Sequence, residues 1–259
     1  MAQADGAGAA GAPGGARRGP DLVILPVYNE EPSIPRVVAA LAEAVPHMDV
    51  VAIDDGSTDR SRERLHEAAR RWAGRFTVLS RDHNAGYGAA LQWGFRFAME
   101  EGYERCVTMD CDEQHEPALI PSFLEALAEA DVVSGSRYLQ VDMREAPPPA
   151  DRWAINRQIT AEINRLTGFQ LTDAFCGFKA YRVDALRPLR LDEPGYGFPI
   201  QFWLEAWRHG LRVVERPVPL IYKHNFERRF GGGLDDPEQR LRYYRSLLER
   251  EVARCSTSS

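Results

Sequence analysis

The chain has 259 residues, of which 44% are hydrophobic and 27% are charged, so it can bury a sizeable core in one large α/β domain. Its formal net charge of -6 gives no support to non-specific nucleic-acid binding, because that requires a basic surface. The 4 cysteines are scattered and form no C-x-x-C pair, which indicates reduced thiols in a cytosolic protein. No apolar run approaches the roughly 20 residues of a membrane span, so any membrane contact is predicted to be peripheral.

Residues 1–20 are rich in Gly, Ala and Pro and lack an apolar segment, which is typical of a disordered tail and not of a secretory signal. From Asp21 onwards, short runs of Val, Ile and Leu alternate with stretches of helical spacing. The predicted strands lie in DLVILPVYN, VVAIDDGS, FTVLS, CVTMDCD and DVVSGSRY. The helices after the first four lie in SIPRVVAALAEAVP, TDRSRERLHEAARRW, AALQWGFRFAMEEG and ALIPSFLEALAEA. This alternation predicts an α/β fold with a mostly parallel sheet and helices on both faces.

The later part of the chain is less regular. It predicts helices in ADRWAINRQITAEINRLTG and FPIQFWLEAWRHG, and a strand in RVVERPVPLIY. A terminal helix is predicted in DPEQRLRYYRSLLEREVA, with Asp235 or Asp236 as its cap and Pro237 in its first turn. We therefore divide the chain into the tail 1–20, a domain 21–234, and a C-terminal helix and tail 235–259.

Polar side chains follow the predicted strands at the point where each strand ends. In open α/β sheets, ligands bind beyond the carboxyl ends of the strands, so we expect these groups to converge on one edge. They are Tyr28, Asn29 and Glu30; Asp54 and Asp55; Asp110 and Asp112; Ser136 and Arg137. Asp54 has a second interpretation, in which it only caps the turn that follows it.

Asp110 and Asp112 stand two residues apart after an apolar run, so a local bend would aim both carboxylates at one cation. Oxygen ligands select hard ions such as Mg²⁺ or Mn²⁺, which keep water or substrate phosphates in their coordination shell. Gln114 continues the alternation and would supply a third oxygen. His115 is predicted to hydrogen-bond within the turn before Pro117. The alternative for D-x-D alone is a solvated turn.

A dication in an acidic pocket implies an anionic substrate, most simply a diphosphate. The chain has neither the G-x-x-x-x-G-K-[ST] loop of P-loop NTPases nor a G-x-G-x-x-G after its first strand. The segment NAGYG offers a flexible turn before a helix, which by itself is a weak phosphate signal. A metal that holds a diphosphate without a P-loop suggests a nucleotide-sugar donor.

The segments LPVYNEE, AIDDGSTD, NAGYGAAL, MDCDEQHEP, SGSRY and DAFCGFKAYR, in this order, resemble the family-2 glycosyltransferases with the GT-A fold. More narrowly, they resemble dolichol-phosphate mannose synthase and its polyprenyl-phosphate glycosyltransferase relatives. The resemblance runs from Asp21 to about Gly233. It implies a Rossmann-like, mostly parallel sheet with a C-terminal extension on the acceptor side.

The resemblance also implies roles for single residues. Those that match the family's donor-binding positions are Pro26, Tyr28, Asn29 and Glu30 for base and ribose, Ile53 and Asp55 around the nucleoside, and Asp110 and Cys111 in the D-x-D segment. Asp112 and Gln114 match metal-ligand positions together with Asp110. Arg137 matches an arginine that binds phosphate, for which its planar donors are suited. Asp173 matches a carboxylate near the acceptor, and its alternative role is to fix the turn before Gly177.

Three features depart from the mannose-synthase pattern. The family has an Arg and, six residues later, a Lys in a loop after the last strand, whereas ERRFGGGLDD offers Arg228 or Arg229 and then Leu234. Gln201 stands where the relatives carry Glu. The C-terminal membrane helices of many relatives are missing, as in those relatives whose catalytic subunit is soluble.

The expected activity is therefore a metal-dependent, inverting glycosyl transfer from a nucleotide-sugar. GDP-mannose is favoured by the resemblance, with UDP-glucose next, and the acceptor is a polyprenyl or dolichyl phosphate or another group. The metal, Arg137 and Arg228 would stabilise the leaving group, and the GGG after Phe230 is predicted to act as a hinge for a loop that closes over the donor. A lipid phosphate needs no strong base, whereas a hydroxyl acceptor does, and Asp173 is the candidate.

Two alternatives from other classes remain at this stage: a D-x-D phosphohydrolase with Asp110 as nucleophile, and a non-catalytic metal- or nucleotide-binding domain. The phosphohydrolase is disfavoured because Gln114 stands where that family has Thr or Val, and because its motif belongs on the first strand. The expected location is cytoplasmic, with possible attachment to the cytoplasmic membrane face. The segment RLRYYRSLLEREVARC either lies on a membrane surface or packs on its own domain.

Overall fold

A mixed sheet forms the centre of the protein. The computed structural model describes residues 19–72, 74–140, 148–221 and 233–256. Over these residues the strands are β1 (Asp21–Val27), β2 (Asp49–Asp54), β3 (Phe76–Ser80), β4 (Arg105–Thr108), β5 (Val132–Ser136), β6 (Lys179–Arg182) and β7 (Val213–Pro217). They form a single 7-stranded sheet in the order β3-β2-β1-β4-β6-β5-β7.

Helices connect most of the strands and cover the sheet. In the described ranges they are α1 (Ile34–Ala44), α2 (Ser61–Arg71), α3 (Tyr87–Glu100), α4 (Ile120–Ala126), α5 (Ala150–Thr167), α6 (Val183–Leu186), α7 (Phe198–Arg208) and α8 (Pro237–Ser256). None of the helices in these ranges is both long and apolar enough to cross a membrane. The predicted α/β class and the helix-covered sheet are confirmed.

The apolar strands are buried on both faces, as a covered parallel sheet requires. Along β1, Leu22 and Ile24 belong to one core cluster, whereas Val23 and Leu25 belong to the other. The first cluster includes residues of α3, α5, α7 and α8, and the second includes residues of α1, α2 and α4. Alternate side chains of one strand thus hold helices on opposite faces of the sheet.

β6 is the one strand of the described sheet that the sequence analysis did not predict. It is only four residues long and runs antiparallel between β4 and β5. Its segment KAYR carries neither a long apolar run nor a clean alternation, so local pattern gives no strand signal there. The insertion of β6 brings the preceding turn, with Cys176 and Gly177, beside the end of β4.

The C-terminal helix α8 packs on the domain through buried polar contacts. Asp236 accepts a hydrogen bond from the N–H of Gln239 at 2.7 Å, so it is the predicted cap. Glu193 accepts hydrogen bonds from Tyr243 at 2.6 Å and from Arg250 at 2.8 Å. These contacts join α8 to the segment before α7. Of the two predicted alternatives, a membrane surface or its own domain, the described structure shows that α8 packs against its own domain.

Gln201 explains one departure from the family pattern. Its Oε1 accepts N–H groups of Asp192 (2.8 Å) and Glu193 (2.7 Å), while its Nε2 donates to Asp192 (2.7 Å) and Glu251 (3.2 Å). Gln201 and Glu251 are 0% and 2% exposed. A glutamate at 201 would place a third carboxylate against those of Asp192 and Glu251.

We therefore expect Gln201→Glu to lower the free energy of unfolding by about 2 to 4 kcal/mol. The substitution removes the N–H groups that donate to Asp192 and Glu251, and it buries a new negative charge next to these two carboxylates. Urea unfolding at pH 7 measures this loss. The exposed Gln170→Glu is the matched control and is expected to change stability by less than about 0.5 kcal/mol. Equal stability of the two variants would contradict a structural role for the amide.

Candidate active site

The ends of β1 and β2 are tied together by hydrogen bonds. The N–H of Asp55 donates to the Val27 carbonyl at 2.9 Å, which places the residues after both strands side by side. Asn29 has a positive φ of 56°, and its Oδ1 accepts the N–H of Thr58 at 2.8 Å. Tyr28 is 45% exposed between these turns. The structure thus joins the first two predicted groups of edge residues.

The two aspartates after β2 have different partners. Asp54 accepts the N–H of Ser57 at 3.0 Å and the Nε of Arg62 at 2.7 Å, so the prediction that it caps its own turn is confirmed. Asp55 accepts N–H groups of Ala85 and Gly86 and pairs with Arg81 at 3.0 Å. Asp55 therefore fixes the loop of the NAGYG segment next to the strand ends.

The remaining residues of the predicted nucleoside site differ in exposure. Pro26 and Ile53 pair in register on β1 and β2, and both are buried in the sheet. Glu30 is half-buried and accepts a hydrogen bond from the Ser33 hydroxyl at 2.9 Å. In the predicted nucleoside set, Tyr28 and Asn29 are exposed and Glu30 is half-buried, so these three reach the surface.

The acidic segment after β4 forms a tight turn. The N–H of Asp110 donates to Nδ1 of His115 at 3.0 Å, so the predicted turn-stabilising role of this histidine is confirmed. The N–H of Gln114 donates to Asp112 Oδ1 at 3.0 Å, and Asp112 is 6% exposed. Glu113 between them has a positive φ of 63°.

Cys111, between the two aspartates, points into the core. It is 2% exposed, and burial raises the pKa of its thiol, so it is a neutral packing residue. A contact between Cys111 and a donor would therefore involve its backbone.

The turn after β4 fits a hard dication in its chemistry and its packing. Asp110 and Gln114 line the same cavity. Their carboxylate and amide oxygens are the ligand atoms that they offer to a hard cation. Within the described residues no cluster of three or more His, Cys, Asp or Glu side chains is arranged to hold a metal. The Asp110 carboxylate and the Gln114 amide oxygen leave positions for diphosphate oxygens and water, which is how Mg²⁺ is commonly bound. Asp112 lies in the same turn but does not line this cavity, so the two aspartates are not both brought to it as the sequence predicted.

Gly177 provides the space in which the Asp110 carboxylate lies. A Cβ at residue 177 would stand 2.8 Å from Asp110 Oδ2 and 2.9 Å from Oδ1. A side chain at residue 177 would therefore displace the Asp110 carboxylate, and only glycine leaves it in its present position.

We expect Gly177→Ala to lower kcat by about 10-fold or more, because a displacement of the carboxylate by a few tenths of an ångström disturbs the geometry on which catalysis depends. Initial-rate kinetics and thermal unfolding measure both effects. Gly19→Ala is the control, since a Cβ there meets nothing closer than the His47 carbonyl at 4.0 Å. A fully active Gly177→Ala would show that Asp110 does not need its present position.

Arg137, which follows β5, forms a two-pronged ion pair with Asp173. Its Nε and Nη2 donate to the two carboxylate oxygens at 2.6 and 2.9 Å, and Asn156 donates to Asp173 at 2.7 Å. Backbone N–H groups of Arg137 and Phe175 also donate to Asp173, which is 0% exposed. Burial alone would raise the pKa of Asp173, but the Arg137 guanidinium and these hydrogen bonds lower it to about 2.

This geometry favours a different role for Asp173 from that of a general base. A carboxylate with so low a pKa is a weak base, and both of its oxygens already accept hydrogen bonds. The interaction with Phe175 also fixes the turn that leads to Gly177, which was the alternative role. We infer that Asp173 positions the side chain of Arg137, a residue that lines the cavity.

One cavity of about 110 Å³ joins the acidic turn to Arg137. Its other walls come from α3, α5, α7 and α8, and cationic and aromatic side chains are prominent in its lining. The lining residues that the sequence analysis did not single out include Arg152, Asn156, Phe175, Tyr196, Arg240 and Tyr244. Arg152 and Asn156 are four apart on α5, and Arg240 and Tyr244 are four apart on α8, so spacing on one helical face was an available signal.

The structure therefore brings Asp110, Gln114 and Arg137 to one cavity. Asp112 lies in the same turn as Asp110, and Asp173 forms an ion pair with Arg137. Tyr28, Glu30 and Asp55 lie at the neighbouring strand ends of the same sheet edge. Arg228 and Arg229 lie outside the described residues, as does the predicted GGG hinge up to residue 232.

Solved structures share this fold. Glucosyl-3-phosphoglycerate synthase from Mycobacterium tuberculosis has a TM-score of 0.67 at 21% sequence identity, over 89% of this chain and 80% of that chain. The same enzyme in complex with Mn²⁺, UDP and glucosyl-3-phosphoglycerate has a TM-score of 0.64 at 20% identity, over 89% of this chain and 79% of that chain. The class of fold that these likenesses define is the GT-A fold.

A family model described as glycosyl transferase family 2 matches residues 22–190. Undecaprenyl-phosphate mannosyltransferase from Micrococcus luteus is 35% identical over 221 residues, which cover 82% of this chain and 88% of that protein. Polyprenol monophosphomannose synthase from Mycolicibacterium smegmatis is 33% identical over 201 residues, which cover 76% of each. The chain belongs to glycosyl transferase family 2 and is a glycosyltransferase.

Proposed function

We propose that this enzyme transfers a hexosyl group, with mannose favoured, from a nucleoside diphosphate sugar to a polyprenyl phosphate. The observation that carries the proposal is the single cavity in which Asp110 and Gln114 face Arg137 and Arg152. It combines ligands for a cation that holds a diphosphate with arginines that suit a second phosphate. Two relatives of the chain are a mannosyltransferase and a mannose synthase that are named for polyprenyl acceptors.

The donor is assigned to the edge formed by β1, β2 and β4. Tyr28, Glu30 and Asp55 would contact the nucleoside, and Asp110, Asp112 and Gln114 would hold Mg²⁺ or Mn²⁺ with the diphosphate. The ordered loop that Asp55 fixes supports this side of the site. Neighbouring structures of this fold contain Mn²⁺ or Mg²⁺, which supports a divalent cation here.

The acceptor is assigned to the part of the cavity between Arg137 and α5. Arg152 and Asn156 lie on the face of α5 that lines it, and Ile155 and Phe175 add apolar surface. A phosphate with an apolar chain matches this mixture of cationic and apolar groups better than a free sugar does. The enzyme would meet such an acceptor at the cytoplasmic face of a membrane, by peripheral attachment.

The reaction then needs no general base. An ionised phosphate oxygen of the acceptor attacks the anomeric carbon, the bond from that carbon to the diphosphate oxygen breaks, and the electron pair leaves with the nucleoside diphosphate. Attack opposite the leaving group inverts the anomeric centre. The bound dication supplies charge neutralisation on the leaving diphosphate. Arg137, held in place by Asp173, stabilises the phosphate charge in the same cavity.

The test is transfer from radiolabelled GDP-mannose and UDP-glucose to undecaprenyl phosphate in detergent, with and without Mn²⁺ or Mg²⁺. The expected result is a lipid-linked mannosyl product that forms from GDP-mannose only when a divalent cation is present. Undecaprenol and 3-phosphoglycerate are the acceptor controls and should remain unlabelled. Labelling of 3-phosphoglycerate, or transfer that persists in EDTA, would contradict the acceptor or the metal assignment respectively.

A further inference from the structure

The C-terminal helix contributes directly to the active-site cavity. Arg240 and Tyr244, one turn apart on α8, both line it, together with Asp110, Gln114 and Arg137. Arg240 is 3% exposed and Tyr244 is 4% exposed. An arginine is rarely so fully buried unless its charge is paired. The partners of Arg240 therefore show how its guanidinium is oriented.

Contacts with Asp151 and Leu234 help to fix the Arg240 guanidinium. Its Nη2 donates to Asp151 Oδ2 at 2.6 Å, and its Nη1 donates to the carbonyl of Leu234 at 2.8 Å. Asp151 is on the first turn of α5, one residue before Arg152, so this ion pair joins α8 to the helix that carries the acceptor-side arginine. The guanidinium is therefore held at the cavity wall before any ligand arrives, which lowers the entropic cost of binding an anion.

Tyr244 lies beside the apolar part of the cavity. Its ring centroid is 5.0 Å from that of Phe175, and Phe175 also lines the cavity. The contacts of Glu193, Gln201 and Glu251 described above hold the remainder of α8 on the domain. Helix α8 thus presents one cationic and one aromatic side chain in a fixed orientation.

We propose that α8 is the acceptor-side wall of the active site, in which Arg240 binds the acceptor phosphate and Tyr244 contacts the adjoining apolar chain. This inference rests on the proposed function, because it assigns further residues to the acceptor of that reaction. The shared chemistry is a phosphate monoester with an apolar substituent. Arg137, Arg152 and Arg240 all line this cavity, so Arg240 would act together with the other two arginines.

The test compares Arg240→Met with the matched control Arg245→Met. Arg245 is on the same helix, is 46% exposed and pairs with Glu162 outside the cavity, so its removal changes the net charge of α8 equally. Steady-state kinetics use GDP-mannose with farnesyl phosphate or undecaprenyl phosphate. For Arg240→Met, the KM for either acceptor should rise about 10- to 100-fold, the range expected when one charge-assisted hydrogen bond is lost.

The donor KM of Arg240→Met should stay within about 2-fold of the wild type, and Arg245→Met should match the wild type in both constants. Because Arg240→Met leaves Asp151 without this partner, the double variant Arg240→Met, Asp151→Asn removes the ion pair as a unit and carries the same expectation. Arg240→Lys should recover part of the acceptor affinity. That recovery would separate phosphate binding from packing.

Different results overturn the two proposals. An unchanged acceptor KM, or a rise confined to the donor KM, in a folded Arg240 variant overturns the role of α8 while the transfer reaction stands. A wild-type enzyme that forms no product with either lipid phosphate overturns the proposed function, and the acceptor role of Arg240 falls with it.

Discussion

Replacing Asp110 with Asn is expected to lower kcat by about 10²- to 10³-fold, because one charged oxygen ligand of the cation is lost and the diphosphate leaving group is less well neutralised. Asn is almost isosteric with Asp, so the packing against Gly177 is retained. The measurement is single-turnover transfer from GDP-mannose together with Mn²⁺ affinity in the presence of GDP, and both are expected to fall.

The control for this variant is Asp184→Asn, which removes a carboxylate that is 91% exposed on α6 and should leave both measurements unchanged. Thermal unfolding of the two variants checks that the loss at Asp110 is not a loss of fold. Wild-type turnover by a folded Asp110→Asn enzyme would remove the metal assignment on which the donor site depends.

The second large effect is expected for Asp173→Asn, which should lower the free energy of unfolding by about 3 to 5 kcal/mol. The substitution leaves the Arg137 guanidinium without its two-pronged partner, although Arg137 is largely buried. It also places an amide against the Asn156 amide that now donates to the carboxylate. Urea unfolding at pH 7 measures the loss.

The pH dependence of stability separates this ion pair from other contacts. The pKa of Asp173 is about 2 in the folded protein, below the ordinary value of about 3.9 for an unfolded chain. Its contribution is therefore complete above about pH 4 and is lost as the pH falls towards 2. The difference in stability between wild type and Asp173→Asn should narrow over that interval.

Kinetics distinguish a positioning residue from a general base at this site. If Asp173 positions Arg137, the variant should show a raised KM for the lipid phosphate and a pH profile of the same shape as the wild type. A stable Asp173→Asn protein that has lost only kcat, together with the acidic limb of its pH profile, would instead restore the general-base assignment.

Much of the site was predictable because it depends on strand ends. Parallel strands that alternate with helices place their carboxyl ends at one edge, so the sequence predicts that Asp55, Asp110 and Arg137 lie at that edge. The short-range contacts were also predictable: Asp54 caps its turn and His115 bonds within its own turn, because each partner is within a few residues.

The residues missed by sequence reasoning are those whose role depends on distant partners. β6 has no strand pattern of its own and exists because β4 and β5 offer hydrogen bonds on both sides. The sequence offers Asp173 as the base for a hydroxyl acceptor or as a turn-fixing residue, and its motif gives no sign that Arg137, 36 residues earlier, donates to both of its oxygens. The orientation of Arg240 depends on Asp151, 89 residues away.

The sequence by itself determined the α/β class, the order of the strands along the chain, and the polar groups that follow each strand, since these depend on local periodicity and on the direction of the backbone. Only the tertiary structure decided which carboxylate lines the cavity, which one is paired with an arginine, and that residues of α8 line the same cavity. Those outcomes depend on burial and on charges brought together from distant parts of the chain, for which no local pattern exists.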